Sequence, residues 1–200
     1  MRDSQASPVS LTLLNRPSRI HKKRTNARPF SQNKTYSDPI DPALSLQGIG
    51  WLTRKAIGAS SVTLHVTQYA DAEGKVHIDI DQVATGGLKG TSEKRCLDLE
   101  WRDHKDWMFG HVKGQSRFIA AEDITDEFLK KGWLEGEEEK KGPNGESHVM
   151  SHVESYDAGW TATQIWGFQT VEGERRYCRH IVVAKGAERV EMRLVYDYLG

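Results

Sequence analysis

The chain has 200 residues, of which 37% are hydrophobic and 28% are charged, and its 28 Lys and Arg balance its 28 Asp and Glu. This length and composition are typical of one globular domain with a sizeable core, and a net charge of zero favours neither nucleic acid nor an anionic membrane as a partner. No apolar run approaches the roughly 18 residues of a membrane-spanning helix, so we expect no integral membrane segment. The stretch MRDSQASPVSLTLLN lacks the basic and then apolar pattern of a secretory signal, so we expect a cytoplasmic location.

The first part of the chain, residues 1–32, is basic and contains a single acid, Asp3. We predict a disordered, solvated tail here, followed by one folded domain over 33–200. An Arg-rich, acid-poor beginning is also compatible with a mitochondrial presequence. A nucleic-acid-binding arm is a third interpretation, and it is weaker because only Phe30 could stack on a base.

A pair of short helices is predicted over about 42–58, in the stretch PALSLQGIGWLTRKAIGAS. Asp41 can cap a helix, and Pro42 suits a first helical turn. Gly48 and Gly50 interrupt the apolar positions between the two halves. The stretch therefore predicts two helices that are joined by a turn.

From Ser60 onward apolar and polar residues alternate, which is typical of β-strands. The stretches SVTLHVTQY and KVHIDIDQVA flank the turn DAEG and predict a β-hairpin. EKRCLDLEW and DWMFGHVKGQSRFI predict two further strands, with a tight turn at RDHK between them. An irregular or helical insert follows at about 120–147, and we expect its charged loop EGEEEKKGPNGE to be mobile and without function.

The last third of the chain predicts further strands, in the stretches SHVMSHVESY, GWTATQIWGFQTV, ERRYCRHIVVAKG and AERVEMRLVYDYL. Their connections are short, so successive strands must be antiparallel neighbours. The count is about eight strands, or nine or ten if residues 28–37 supply another. A meander of this size removes its free edges by closing. We therefore predict an all-β fold: an antiparallel up-and-down β-barrel of about 8–10 strands with a short helix pair near the N-terminus.

The order of a helix pair and then a meander resembles the calycin group, which contains the lipocalins and the intracellular fatty-acid-binding proteins. LQGIGWLTRKAIGASSVTLHV is similar to the fatty-acid-binding helix pair with its next strand, and HIDIDQVATGG to the strand that follows. Over 33–200 the chain also resembles a group of small fungal proteins with lipocalin-like barrels, through the strings NKTYSD, GIGWLTRKA, IDQVATGG, GWTATQIWGF and LVYDY. The resemblance implies one calycin-like domain and supports the fold more than any chemistry.

The chain departs from the fatty-acid-binding proteins where those proteins hold the ligand carboxylate. They typically carry Arg-x-Tyr on the last strand, whereas the last strand here reads MRLVYDY. Arg175-Arg176-Tyr177 has that spacing one strand earlier. The Gly-x-Trp that lipocalins carry on their first strand is also missing. Because these motifs are missing, the site residues are predicted below from the alternation of residues along each strand.

The stretch GWTATQIWGFQTV concentrates large aromatic residues on one strand face, where Trp160, Trp166 and Phe168 share a row with Gln164. A barrel of about eight strands can be just filled by side chains or can hold one small ligand. An amide among indoles suits a mostly apolar pocket with a few placed polar groups. A packed core in which a neighbour satisfies the amide is the alternative, and both interpretations stay open.

The last two strands add polar candidates. Tyr177 and Arg179 share a row, and facing inward they would supply a phenol and a cation able to hold a carboxylate or an enolate. Facing outward, Arg179 would be an ordinary solvated residue. Tyr196 is the inward candidate on the final strand. The predicted ligand-binding residues are thus Trp160, Gln164, Trp166, Phe168, Tyr177, Arg179 and Tyr196.

Neither a metal site nor a cofactor site is predicted. On a strand of about 3.3 Å per residue, His148 and His152 are roughly 13 Å apart, too far for one ion. Cys96 and Cys178 are the only cysteines, which fits a reduced, cytosolic setting without disulfides. The polar row of KVHIDIDQVA is expected to face solvent, although facing inward it could perform acid–base chemistry.

Three functions stay open. The preferred one is binding of a small hydrophobic ligand, such as a fatty acid or a lipid-like metabolite, inside the barrel. The alternative is a cofactor-independent isomerase, cyclase or dehydratase that acts on a fungal metabolite in the same pocket. The third is an interaction module that uses the tail and the insert as partner surfaces. Fold-level analogy does not choose among them.

Overall fold

Ten antiparallel strands and two short helices form the part of the chain that the computed structural model describes, residues 27–86 and 90–200. The alternating stretches form the strands, as their period of two requires. The elements in chain order are β1 (Arg28–Gln32), α1 (Asp41–Leu46), α2 (Trp51–Ala59), β2 (Val62–Ala70), β3 (Val76–Ala84), β4 (Ser92–Cys96), β5 (Arg102–Asp106), β6 (Gly110–Ile119), β7 (His148–Ser155), β8 (Thr161–Val171), β9 (Glu174–Lys185) and β10 (Glu188–Tyr198).

The strands form one sheet in the order β4-β3-β2-β1-β10-β9-β8-β7-β6-β5, which curls into a barrel. The first strand bridges the two halves, because Phe30 lies opposite Tyr198 of β10 and Leu64 of β2. Consecutive strands β4 and β5 stand at the two ends of this order and are not hydrogen-bonded to each other, so the barrel has an unpaired seam between them. The predicted all-β up-and-down barrel with its helix pair is confirmed, with a strand number at the upper end of the expected range.

The first strand falls within the segment that the sequence analysis assigned to a basic tail. Arg28–Gln32 is strand β1, and Phe30 is buried in the core with Leu64 and Tyr196. The structure thus places residues 28–32 in the barrel. The remainder of the predicted tail, residues 1–26, lies outside the described residues.

Helix α1 closes one end of the barrel, and α2 lies over it. Ala43 of α1 is fully buried, in one cluster with Trp160, Val183 and Met192. The predicted start holds, because α1 begins at Asp41 with Pro42 in its first turn. By contrast, α2 has no buried residue. Neither described helix is long and apolar enough to cross a bilayer.

Aromatic residues close the opposite end of the barrel. The ring of Phe30 lies 5.1 Å from that of Tyr177 and 5.3 Å from that of Tyr198, measured between centroids. Phe168 lies 5.8 Å from Tyr177 on its other side, and the Arg175 guanidinium stands 3.4 Å from the Phe168 ring centroid. The interior is therefore bounded by α1 above and by an aromatic layer below.

The stretch RDHK, which the sequence analysis interpreted as a tight turn, is part of strand β5. Arg102 pairs with Gly114 and His104 with Val112 of β6. Because all four residues of the stretch are polar, no apolar alternation indicates this strand in the sequence. The reversal lies after β5, where the Asp106 carboxylate accepts hydrogen bonds from the backbone N–H groups of Met108 and Phe109. The turn was therefore misplaced by one short strand.

The insert between β6 and β7 packs against the outer wall of the barrel instead of standing free of it. Trp133 is only 8% exposed and lies between His148 and His180, with ring centroids 5.3 Å and 4.5 Å away. Glu139, in the charged loop expected to be mobile, is 4% exposed and accepts two hydrogen bonds from Arg175 at 2.6 and 2.7 Å. The insert thus gives β8 and β9 a second buried face.

Candidate functional site

Two adjoining cavities occupy the interior of the barrel. The larger, about 580 Å³, lies behind the seam between β4 and β5 and reaches Trp160. The smaller, about 200 Å³, lies under the helices and reaches Arg179 and Tyr196. The residues that line both are Gln47, Thr91, Glu93, Phe109, Ala162 and Gln164. Their combined size lies within the range of small-molecule sites.

The inward row of β8 contributes to both cavities and to the core beneath them. Gln164 lines both cavities, and Trp160 lines the larger one. Trp166 is 3% exposed, and its indole N–H donates a hydrogen bond to Gln164 Oε1 at 2.9 Å. Phe168 lies further down, in the aromatic layer. The row therefore combines a cavity wall at one end with a packed core at the other, and Gln164 is partly satisfied by its neighbour.

Arg179 is the buried cation of the interior, with 4% of its surface exposed. Its Nε donates to the Tyr177 hydroxyl at 3.1 Å, and its Nη2 has no hydrogen-bond partner among residues 27–86 and 90–200. The guanidinium carbon lies 4.5 Å from the Trp166 ring centroid and 5.7 Å from that of Tyr196, which are cation–π distances. Of the two orientations left open by the sequence, the structure has Arg179 facing inward.

The two tyrosines beside Arg179 stay protonated. Burial raises the pKa of Tyr196 to about 12, against the opposing effect of the Arg179 charge. Burial likewise raises the pKa of Tyr177, although Arg179 partly counteracts it. Tyr196 lines the smaller cavity, whereas Tyr177 lies below it as the acceptor for Arg179. The interior thus offers neutral hydroxyls beside a permanent cation.

Strand β4 supplies two charged interior residues that the sequence analysis did not select. Glu93 and Arg95 form an ion pair, with Nε and Nη2 of Arg95 at 3.0 and 2.7 Å from Glu93 Oε2. Gln82 Nε2 donates to Glu93 Oε1 at 2.7 Å. A strand as polar as SEKRC suggests a solvated edge. Leu97 could have indicated that Glu93 and Arg95 face inward, because it lies on the same strand face and packs against the core.

The buried charges around Arg179 do not balance within the described part of the barrel. Burial acts to raise the pKa of Glu93, but Arg95 and Arg179 outweigh it and hold the pKa below its usual range. Burial acts to lower the pKa of Arg179, but Tyr177, Tyr196 and Glu93 outweigh it and keep that pKa raised. One carboxylate that is already bound by Arg95 therefore faces two guanidiniums, which leaves the charge at Arg179 in excess.

The remaining titratable candidates do not form a second site with the cavity. Ile78 and Ile80 of β3 are in the core, so the alternate row of that strand, which contains His77, faces outward. His77 pairs there with Asp71 at 2.8 Å. His148 lies on the outer wall beneath Trp133. Within 27–86 and 90–200 no group of three or more His, Cys, Asp or Glu residues could hold a metal ion.

Comparison with solved structures agrees with the calycin fold. The fatty acid binding protein of Schistosoma mansoni in complex with arachidonic acid superposes with a TM-score of 0.53 at 18% identity, over 86% of this chain and 94% of that one. At this identity the likeness shows the fold alone. The fold that the resemblance to the calycin group implied is thereby confirmed. No protein-family model matches the chain.

Two fungal relatives match most of the sequence. The chain is 31% identical over 174 residues to pericyclase pydY of Acremonium sp, covering 86% of this chain and 90% of the relative. It is 30% identical over 177 residues to probable pericyclase scpY of Mollisia scopiformis, covering 86% and 88%. At this identity and coverage the chain belongs to the family of these two fungal pericyclases.

Proposed function

We propose that this protein is a pericyclase: it folds a mostly apolar, conjugated substrate inside the barrel and accelerates an intramolecular pericyclic reaction. The two relatives named pericyclase support this activity. The adjoining cavities support a ligand site inside the barrel: apolar side chains line most of the smaller cavity, whereas polar and charged residues of β4 and β5 line much of the larger one. The site residues in this proposal are those predicted from the sequence, Trp160, Gln164, Trp166, Phe168, Tyr177, Arg179 and Tyr196, to which we add Glu93 and Arg95.

The observation that carries the proposal is the excess positive charge at Arg179. A buried guanidinium with an unpaired nitrogen is unfavourable for folding, since a buried donor without a partner costs about 1–3 kcal/mol. Trp166 holds the guanidinium in place, and Arg179 lines the smaller cavity. A carbonyl or enolate oxygen of a substrate is the partner that would satisfy it.

The chemistry follows from the kind of reaction. A pericyclic reaction is concerted, so it needs no nucleophile and forms no covalent intermediate with the protein. Holding a flexible chain in its reactive fold lowers the part of the activation free energy that comes from the conformational entropy of the substrate. A hydrogen bond from Arg179 to a conjugated carbonyl would withdraw electron density from the reacting double bonds, and it would act most strongly in a site from which water is excluded.

A second candidate function is the carrier of a fatty acid or a lipid-like metabolite. The pair of Arg179 and Tyr177, joined at 3.1 Å, favours it, because a cation beside a hydroxyl can hold a carboxylate. A carrier would release the same molecule that it bound. An enzyme would release an isomer, because an intramolecular pericyclic reaction rearranges bonds without changing composition.

The test uses this difference. The purified protein is incubated with a metabolite extract from a strain of its organism that lacks the gene, and the mixture is followed by liquid chromatography with mass spectrometry. We expect one compound to disappear as another of identical mass and different retention time accumulates. A compound that is bound in native mass spectra but never converted would instead establish the carrier.

The variant that tests the role of Arg179 is Arg179→Lys, which keeps the positive charge but loses the planar, multidentate donor geometry. We expect this variant to stay folded and to convert the compound at least tenfold more slowly, since a lost hydrogen bond to a charged group corresponds to about 1.5–3 kcal/mol. Conversion at the wild-type rate would contradict the role given to Arg179.

A further inference from the structure

Trp160 has a buried indole N–H that no described residue of the chain satisfies. The side chain is 2% exposed, and its Nε1 has no hydrogen-bond partner. Buried tryptophan N–H groups usually find a partner, and one that does not costs about 1–3 kcal/mol. A phenylalanine would fill most of the same space without this penalty, so packing alone does not account for a tryptophan here.

Apolar side chains pack around the Trp160 ring. This ring lies edge-on to Phe109, with centroids 5.8 Å apart. It packs in one buried apolar cluster with Ala43, Val112, Ala162, Ile181, Val183 and Met192. The indole nevertheless lines the larger cavity. Since no described residue accepts from this N–H, an acceptor atom of a molecule bound in the cavity is the partner that the site offers.

The backbone fixes the indole in this position. The Trp160 carbonyl accepts a hydrogen bond from the Ser155 N–H at 2.9 Å. The Ser155 hydroxyl in turn accepts one from the Ala158 N–H at 3.0 Å, which closes the tight turn before β8. Gly159 within that turn has φ of 68°, a conformation that side chains disfavour. A rigid turn thus holds the N–H as a preformed donor.

A second unsatisfied donor, Arg179 Nη2, lies further down the same interior. Arg179 is opposite Trp166 in the β8–β9 register. Positions 160 and 166 are separated by about 20 Å along the strand at about 3.3 Å per residue. Between them, Ala162 and Gln164 line both cavities, so one continuous ligand can pass from one donor to the other.

From these two donors we infer that the barrel binds an elongated, mostly apolar ligand with an acceptor oxygen near each end. The end at Arg179 carries an anionic or conjugated carbonyl oxygen, and the end at Trp160 carries a neutral one, such as a hydroxyl, a ketone or an ether. This inference deepens the proposed function by giving the substrate class. Its binding part, however, does not depend on turnover.

The test is a binding cycle with two unreactive ligands. Hexadecanoic acid has one polar end, and ω-hydroxyhexadecanoic acid has two. Isothermal titration calorimetry gives the Kd of each for the wild type and for Trp160→Phe, which removes only the N–H. We expect the substitution to weaken the ω-hydroxy acid roughly three- to tenfold, the range of one neutral hydrogen bond, and to leave hexadecanoic acid unchanged.

The control variant is Trp133→Phe, which loses the same N–H on the outer wall, where it donates to the Leu129 carbonyl at 2.7 Å. It should leave both affinities unchanged. Equal weakening of the two ligands by Trp160→Phe, no weakening of either, or no binding of either by the wild type would overturn the inference. Because the ligands are saturated, these results are independent of whether any compound is converted in the turnover test.

A comparison on the wild type alone covers the case in which Trp160→Phe does not fold. The ω-methoxy acid presents an acceptor to Trp160, whereas the ω-ammonio acid presents only donors. We expect the wild type to prefer the methoxy acid over the ammonio acid. The reverse preference would contradict the assignment of Trp160 as the donor at this end.

Discussion

The guanidinium carbon of Arg179 lies 4.5 Å from the centroid of the Trp166 ring, and that of Arg95 lies 5.6 Å from the same ring. The Trp166 indole therefore makes cation–π contacts with two guanidinium groups. Only Arg95 has a carboxylate partner, Glu93 at 2.7 Å. The two arginines thus have similar aromatic contacts and opposite consequences for stability, because one is paired and the other is not.

The first prediction compares Arg179→Met with Arg95→Met by thermal denaturation and ligand binding. Arg179→Met removes an unpaired buried charge, so we expect an equal or higher Tm together with a loss of ligand affinity. Arg95→Met leaves Glu93 with Gln82 as its remaining described hydrogen-bond donor, and should lower stability by about 1–3 kcal/mol although the Arg179 charge is nearby. If Arg179→Met is the less stable of the two, the charge at Arg179 is compensated within the protein after all.

The second prediction concerns pH and the outer wall. Burial lowers the pKa of His148 from 6.5 to about 4, so the folded protein holds this ring neutral. Between these two values the unfolded state binds more protons than the folded state. The stability contributed by neutral His148 is therefore present above the unfolded pKa and is lost as the pH falls toward about 4, by at most about 3 kcal/mol.

Denaturant unfolding across this pH range measures the effect. His148→Leu should flatten the pH dependence, since it removes the group that the unfolded state protonates. His180, whose pKa is also lowered by burial, remains in this variant and contributes a residual slope of the same sign. A wild-type slope that His148→Leu leaves intact would assign the pH dependence to other groups.

A third prediction concerns Gly167, which faces His148 across the β7–β8 pair. A Cβ at this position would lie 2.6 Å from His148 Nδ1 and 3.0 Å from Trp133 Cε3. Gly167→Ala should therefore destabilise the protein by about 1–3 kcal/mol through overpacking. Gly58→Ala is the matched control, because a Cβ there meets nothing within 4 Å and the residue lies in α2. It should instead stabilise by up to about 1 kcal/mol.

The fourth prediction concerns the attachment of the insert. Trp133→Ala should lower the free energy of unfolding by about 3–5 kcal/mol, the range for a large buried aromatic residue. Hydrogen exchange should rise in the insert, whose Leu134 N–H bonds the Phe168 carbonyl at 2.9 Å. Trp101→Ala serves as the control: this side chain is 43% exposed, and its loss should change stability by about 0.5 kcal/mol or less. A loss of unfolding free energy for Trp133→Ala as small as that expected for Trp101→Ala would mean that packing of the insert does not stabilise the barrel.

The strands of the second half of the chain could be predicted from sequence because their apolar residues recur at every second position between short turns. β8, β9 and β10 lie where the alternation placed them. The burial of the opposite row of β8, which contains Ile165, was harder to predict, because the aromatic row is the more apolar of the two. Ile165, Val182 and Val195 already showed apolar residues on the second face, and the insert covers that face.

The polar half of the site was harder to predict from sequence. A buried ion pair such as Glu93 and Arg95 has the same local pattern as a solvated strand, because its partners come from β3 and from within β4. The burial of Arg179 was likewise left open, since alternation gives two faces but does not say which one is inside. Trp166 was predicted as a site residue because it is large and aromatic. Its contacts with Arg95 and Arg179 could not be predicted, because both arginines lie on other strands.

The unpaired seam between β4 and β5 has a consequence for how the chain can be ordered. Every other pair of consecutive described strands is joined by a hydrogen-bonded ladder, and β1 and β10 are paired as well. A circular permutant could therefore begin near Glu100, end near Leu99, and be closed by a linker between Tyr198 and Arg28, with all of the ladders retained. Leu99, with φ of 63°, is an unfavourable link for a non-glycine residue, so opening the chain there would also release a local constraint. Chains with different orders of the same strands can thus form the same barrel.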